Sequence, residues 1–276
     1  MVTLGSMAGV MPQVGAATKP WQLSWLSAIR PTMKLASALL LAIAAPVPAS
    51  AVEPAAGALQ AELSPHERIL VAMESGVDVE QQLSGVIDTM AEQLVTASPE
   101  LTELESRVPG LSRAAAEAMR PIFRRYSARV RELYRPRLIA VFAEIFTPAE
   151  AVDVAEFYAS PIGRKLTGGV SEAFDGDEMV AAAIKGGDIP DTAIISDTRR
   201  AARRAVARLS QEELAALGEL AQARLALRKL SALSARLRPL QIEMQNAPML
   251  PDEEKSLERA ITTAMDKHVA RGAKGT

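Results

Sequence analysis

Asp175, Asp177 and Glu178 form a close group of carboxylates. Carboxylates of unlike environment can divide acid and base roles, or hold a cation. The run Asp175-Gly176-Asp177-Glu178 starts like a calcium loop, but no further acid follows until Asp188. A polar turn leading into the acidic first turn of a helix is therefore expected. A second candidate is basic. Arg200, Arg204 and Arg208 fall at i, i+4 and i+8, one stripe on a helix. Arg125 and Arg129, and Arg131 and Arg135, are spaced alike. Such stripes can bind anionic lipid head groups or acidic partners. Pairing with acids of the same chain is the simpler expectation.

Other chemistry is sparse. There is no cysteine, which excludes a thiol nucleophile, a thiolate metal site and a disulfide framework. The two histidines, His66 and His268, are too few for a multi-histidine metal site. They are also the only possible bases for a Ser-His-Asp hydrolase. His66 reads as a surface residue at a helix start. No G-x-S-x-G, G-x-x-x-x-G-K or H-E-x-x-H occurs. The reading is a protein without catalytic site, metal or cofactor. The chain of 276 residues carries 31 Lys and Arg against 33 Asp and Glu, a net charge of −2. That balance does not suit a nucleic-acid binder.

The elements that must position these residues are helical. Ala, Leu, Glu, Arg and Gln dominate from residue 62 onward, and aromatic residues are only 4% of the chain. No stretch alternates apolar and polar residues between hairpin turns, so no sheet is expected. Ser64-Pro65-His66-Glu67 reads as a capping box opening a helix. Further helices are expected at 79–97, 111–134, 137–146, 147–159, 161–173, 191–208, 210–236 and 252–270. Pro109-Gly110, Pro136, Ser160-Pro161 and Gly186-Gly187 are among the breakers. The fold class is all-α, a bundle of short amphipathic helices. Acid-rich blocks (52–120 and 140–198) alternate with base-rich blocks (121–139 and 199–240). Exposed ion pairs between such blocks contribute less than about 1 kcal/mol each, so they orient helices that the apolar faces hold.

The N-terminus reads as an export signal. Lys34 precedes an apolar run at 35–45, and Ala49-Ser50-Ala51 is a small-x-small site, placing cleavage between Ala51 and Val52. The run is about half the roughly 20 residues of a membrane-spanning helix. Met33, directly before Lys34, is the expected translation start within the signal region 1–51. Residues 52–61 read as a linker. The remaining divisions are an N-terminal helical region (62–120), a helical unit (121–190) and a second unit with the C-terminal helix (191–276). A periplasmic protein that does not span the membrane is expected, with an envelope protein or a second copy as partner.

The two units read as a degenerate internal repeat. Phe146-Thr147-Pro148-Ala149-Glu150 and Leu209-Ser210-Gln211-Glu212-Glu213 each place an apolar residue before a capping box, 63 residues apart. With one extra residue, Gly163-Arg164-Lys165-Leu166 aligns with Leu227-Arg228-Lys229-Leu230. An Arg-rich helix precedes both. Within the first unit, Phe146, Thr147, Glu150, Phe157, Tyr158, Ser160, Pro161, Gly163 and Lys165 give F-T-x-x-E followed by F-Y-x-S-P-x-G. This segment, 138–166, resembles the bacterial exported family known as domain of unknown function 2059. Ala151 stands where that family often has Leu. The resemblance implies an all-helical envelope protein and no particular activity.

Read as residues, the motif is structural. Tyr158 can bury its ring and bond through its hydroxyl. Ser160 and Pro161 stop one helix and start the next. Gly163 permits close approach. Tyr158 and Ser160 with Arg164 or Lys165 could alternatively hold an anion. The functional expectation is an interaction or structural module of the envelope. The alternative is a carrier of an apolar or anionic ligand such as lipid, its cavity lined by Met73, Met90, Met119, Met179, Met244, Met249 and Met265, with arginines at the mouth.

Overall fold

The computed structural model describes residues 63–185 and 188–272; the expected signal, its cleavage site and the linker lie outside these. Every regular element among the described residues is an α-helix. We number them α1 (Pro65–Glu74), α2 (Val79–Thr96), α3 (Pro99–Arg107), α4 (Leu111–Ile145), α5 (Pro148–Ala159), α6 (Pro161–Ala173), α7 (Asp177–Ile184), α8 (Asp191–Ala207), α9 (Gln211–Ala223), α10 (Leu225–Arg228), α11 (Leu230–Gln245) and α12 (Pro251–Gly272).

The centre is α4. Leu111, Ala115, Met119, Ile122, Tyr126 and Val130 recur at helical spacing, and all are buried. The same face continues through Leu138 and Phe142. That continuity explains a correction: the expected break at Pro136 is absent, and one helix of 35 residues replaces two. An internal proline costs about 3 kcal/mol through a lost bond and a ring clash. Pro121 and Pro136 both sit on the exposed side, where the helix can bend outward and its carbonyls reach water. At the other end Glu105 of α3 caps α4, accepting from the backbone N–H of Gly110 (2.8 Å) and Ser112 (3.1 Å). Helix α3 itself was missed because its short polar sequence buries only Leu101.

Helices α1, α2, α3, α11 and α12 pack on α4. On the other side α5 packs on α1, α8 packs on α6 and α7, and α10 packs on α5. One apolar core runs from Ile69 to Met265, so the two expected units share it. The seven methionines proposed to line a cavity are all buried in it. They fill the core, as flexible side chains do.

The expected helix 210–236 is divided instead. It bends at Arg224 and again at Lys229, giving α9, α10 and α11. Neither glycine nor proline marks these points. At the first, Arg224 takes an extended backbone and donates its N–H to Leu220. Helix α9 has no fully buried residue, whereas α5 buries Ala151, Val154, Ala155 and Phe157. The two expected units therefore share their caps but bury their capped helices differently.

Candidate functional site

The motif residues build a helix corner. Thr147 accepts from the N–H of Glu150, and Glu150 accepts from the N–H of Thr147 at 2.9 Å, closing the capping box of α5. Pro148 occupies the first turn, where no N–H is required. Phe146 and Phe157 are buried beneath the corner. Ser160 Oγ donates to Phe157 O at 2.6 Å and accepts from Gly163 N–H at 3.1 Å, so one hydroxyl ends α5 and starts α6. A Cβ on Gly163 would lie 2.1 Å from Phe157 O, so only glycine fits where α6 leaves the corner. The Tyr158 ring meets Phe157 edge to face at 5.2 Å. Burial pushes its hydroxyl up to about 12. That hydroxyl has no hydrogen-bond partner among the described residues, unlike the expectation.

His66 is not a bare surface residue. Its Nε2 donates to Phe146 O at 2.8 Å and ties α1 to the start of this corner. His268 does the same between distant segments, donating to Pro109 O at 2.9 Å.

Two bridges cross between the capping boxes. Lys229 Nζ lies 2.7 Å from Glu150 Oε1 and also donates to Ile145 O. Lys165 Nζ lies 2.6 Å from Glu213 Oε1, where Glu213 closes the capping box of α9 with Ser210. Both carboxylates sit below the usual range: the lysine bond is the main cause in each, followed by the cap N–H. In the sequence alignment Glu150 corresponds to Glu213 and Lys165 to Lys229, so the bridges are reciprocal. The flanking arginines match too: Arg164 donates to Ala159 O and Arg228 to Gln222 O. Arg164 thus bonds within the corner and Lys165 to its counterpart.

The arginine stripe of α8 faces acids. Arg200 pairs with Asp197 on its own helix and reaches Glu178 at 3.2 Å, Asp177 at 3.4 Å and Asp175 at 3.6 Å. Arg204 pairs with Asp175 at 2.8 Å, and Arg208 with Glu172 at 2.7 Å. The Asp197 side chain is 0% exposed. It accepts from the N–H groups of Met179 (3.1 Å) and Glu178 (3.4 Å), capping α7 from a neighbouring helix. Burial raises its pKa, opposed by those N–H groups and by Arg200. Asp177 and Glu178 are the acidic first turn expected from the sequence. No group of three or more His, Asp or Glu among the described residues is placed to hold a metal ion.

A concave site elsewhere carries no motif. It is a groove of about 710 Å³ between the α1–α2 elbow and the middle of α4. Val77, Val79, Leu83 and Ala128 give it an apolar wall; Arg124, Arg125, Arg131 and Ser127 line the α4 side. Gly76 seats the elbow on α6: a Cβ there would meet Thr167 Oγ1 at 1.9 Å. Arg124 forms a two-pronged pair with Glu80. Glu74 closes the inner end and is only 5% exposed. Burial pushes its carboxyl up to about 7, against the opposing pull of Arg135 (3.9 Å away) and Arg131. Burial in turn lowers Arg131. One signal was legible: Glu74 follows Leu70 by four residues, a charge on the apolar stripe of α1.

No helix among the described residues is long and apolar enough to cross a membrane. No curated protein and no solved structure matches the chain. Over residues 135–183, the span that holds the capped corner of α5 and α6, the chain matches the family model described as an uncharacterized protein conserved in bacteria (DUF2059).

Proposed function

We propose that this protein is a non-catalytic helical module of the bacterial cell envelope, exported to the periplasm after cleavage between Ala51 and Val52. It acts by association with an envelope protein or with a second copy, and not by chemistry. The observation that carries this reading is how the motif side chains are used. Thr147, Glu150, Ser160 and Lys165 are each engaged in capping a helix or bridging two caps. The same reading takes 121–190 and 191–276 as a duplicated unit, and the reciprocal lysine–glutamate bridges support it. The test is a native mass spectrum of the untagged protein from the periplasmic fraction of its own cells. A polypeptide beginning at Val52 is expected. A mass that retains residue 51 and those before it overturns the export reading. Replacing both His66 and His268 by Ala should leave association intact; loss of a measurable hydrolytic activity would overturn the non-catalytic reading.

A second reading, a carrier of an apolar or anionic ligand, is favoured by the groove. The methionines do not line it. The arginines at its mouth are those of α4, not those of α8.

A further inference from the structure

Arg124, Arg200, Arg204 and Arg208 each pair with an acid of the chain. Arg68 of α1 does not. Its side chain makes no hydrogen bond or ion pair among the described residues, and its Nε is buried without a hydrogen-bond partner. Buried donors are ordinarily matched, because an N–H withdrawn from water loses its bonds there and must regain them elsewhere. Arg68 lines a recess of about 390 Å³ between α1 and α5. That volume falls within the roughly 300–1,000 Å³ of small-molecule sites.

The two helices line the recess with the same spacing. Arg68, Val71, Ala72 and Ser75 recur at i, i+3, i+4 and i+7 on the α1 side. Val152, Ala155, Glu156 and Ala159 do so on the α5 side. Glu156 is engaged by Arg224 at 3.0 Å and leaves Arg68 without an acid partner. Val71, Ala72, Val152 and Ala155 give an apolar floor beside the guanidinium. The start of α6 closes the far end: Arg164 lines the recess there and donates to Ala159 O. From Arg68 to Ser75 the floor runs about 10 Å along the helix.

We propose that this recess binds a monocarboxylate with an alkyl body of medium length. Its two oxygens supply the acceptors that Arg68 lacks, since a planar guanidinium matches a carboxylate through paired N–H groups. The alkyl body covers the floor of Val71, Ala72, Val152 and Ala155 and stops before the charged start of α6. The inference goes beyond both readings above, which assign no ligand to this recess. An ammonium head would meet Arg68 with like charge. A multiply charged head such as phosphate would meet the added repulsion of Glu156 in the same lining.

Calorimetric titration of the purified protein tests this with octanoate, octylammonium, acetate and inorganic phosphate. Octanoate should bind one per chain, at least tenfold more tightly than any of the other three. Arg68→Met keeps the aliphatic stem and removes the guanidinium. It should weaken octanoate binding at least tenfold, and the melting temperature without ligand should not fall, because no bond within the chain is lost. Ala159→Phe, at an exposed position, should fill the far end and weaken octanoate at least tenfold. Equal binding of octylammonium, acetate or phosphate, full binding by either variant, a lower melting temperature in Arg68→Met, or no binding at all would each overturn the assignment. The envelope reading is decided separately, by the mass and location of the native protein.

Discussion

Lys229 Nζ lies 2.7 Å from Glu150 Oε1, so a lysine at the start of α11 holds the carboxylate that closes the capping box of α5. Lys165 holds Glu213 in the reverse direction. Each half of the motif region is thereby stitched to the helix start of the other. The packing follows the same exchange: α8 lies on α6, and α4 lies on α11. In each case the arginine-rich helix of one half packs on the third helix of the other.

The two caps should nevertheless differ in weight. Thr147→Ala should cost about 1 kcal/mol of global stability, the usual value of an N-cap. It opens a helix that buries Phe157 and packs on α1. Ser210→Ala should fray α9 alone, because α9 has no fully buried residue to transmit the loss. Urea denaturation read by circular dichroism distinguishes them. Equal losses in the two variants would contradict the difference in packing.

Glycine substitutions should separate just as clearly. Gly163→Ala puts a methyl 2.1 Å from Phe157 O and 2.8 Å from Tyr158 Cα, both backbone atoms that cannot move alone. The corner between α5 and α6 must open, and the melting temperature should drop sharply. Gly218→Ala in α9 meets nothing within 4 Å and should stabilise by about 0.5–1 kcal/mol through helix propensity. Thermal melts of the two variants are sufficient.

Stability should fall as pH rises through the range set by Glu74. Its carboxyl is raised to about 7 in the folded protein from an ordinary 4.5. Between those values the folded state keeps a proton that the unfolded chain has released, so unfolding becomes easier as pH increases. The contribution is complete below about pH 4.5 and gone above about pH 7. Glu74→Gln should therefore be neutral at pH 4.5 and stabilising by about 1–3 kcal/mol at pH 8. An equal effect at both pH values would show that Glu74 is not buried as a neutral acid.

Tyr126 is fully buried and donates to Ala247 O at 2.7 Å, joining α4 to the segment before α12. Tyr126→Phe keeps the ring and removes this bond. A loss of about 0.5–1.5 kcal/mol is expected in urea denaturation, the usual net contribution of one hydrogen bond. No loss would mean that the bond does not contribute to the fold.

What the sequence disclosed was local. Ser64, Thr147 and Ser210 each find their Glu three residues on, and all three boxes form. The Ser160-Pro161 stop was equally legible, because hydroxyl, proline and the Gly163 N–H all lie within four residues. Pro136 misled, since its local penalty is outweighed by the apolar face from Val130 to Phe142. The breaks at Arg224 and Lys229 left no local trace. They follow tertiary contacts: Arg224 reaches Asp153 O and Glu156, and Lys229 reaches Glu150. The groove was invisible for a related reason. Its polar lining comes from α1, α2 and α4, and only the misplaced charge of Glu74 hinted at it.

The tie between Tyr126 and Ala247 spans 121 residues, and that between Arg129 and Glu253 spans 124. Helix α4 is thus made long before the segment that covers it. At about 5–20 residues per second of synthesis, the delay is on the order of ten seconds. For that interval Phe123, Tyr126 and Val130 have no final cover. The core closes late, from its C-terminal end, and a nascent chain of this protein reaches the native state only when nearly all of it has emerged.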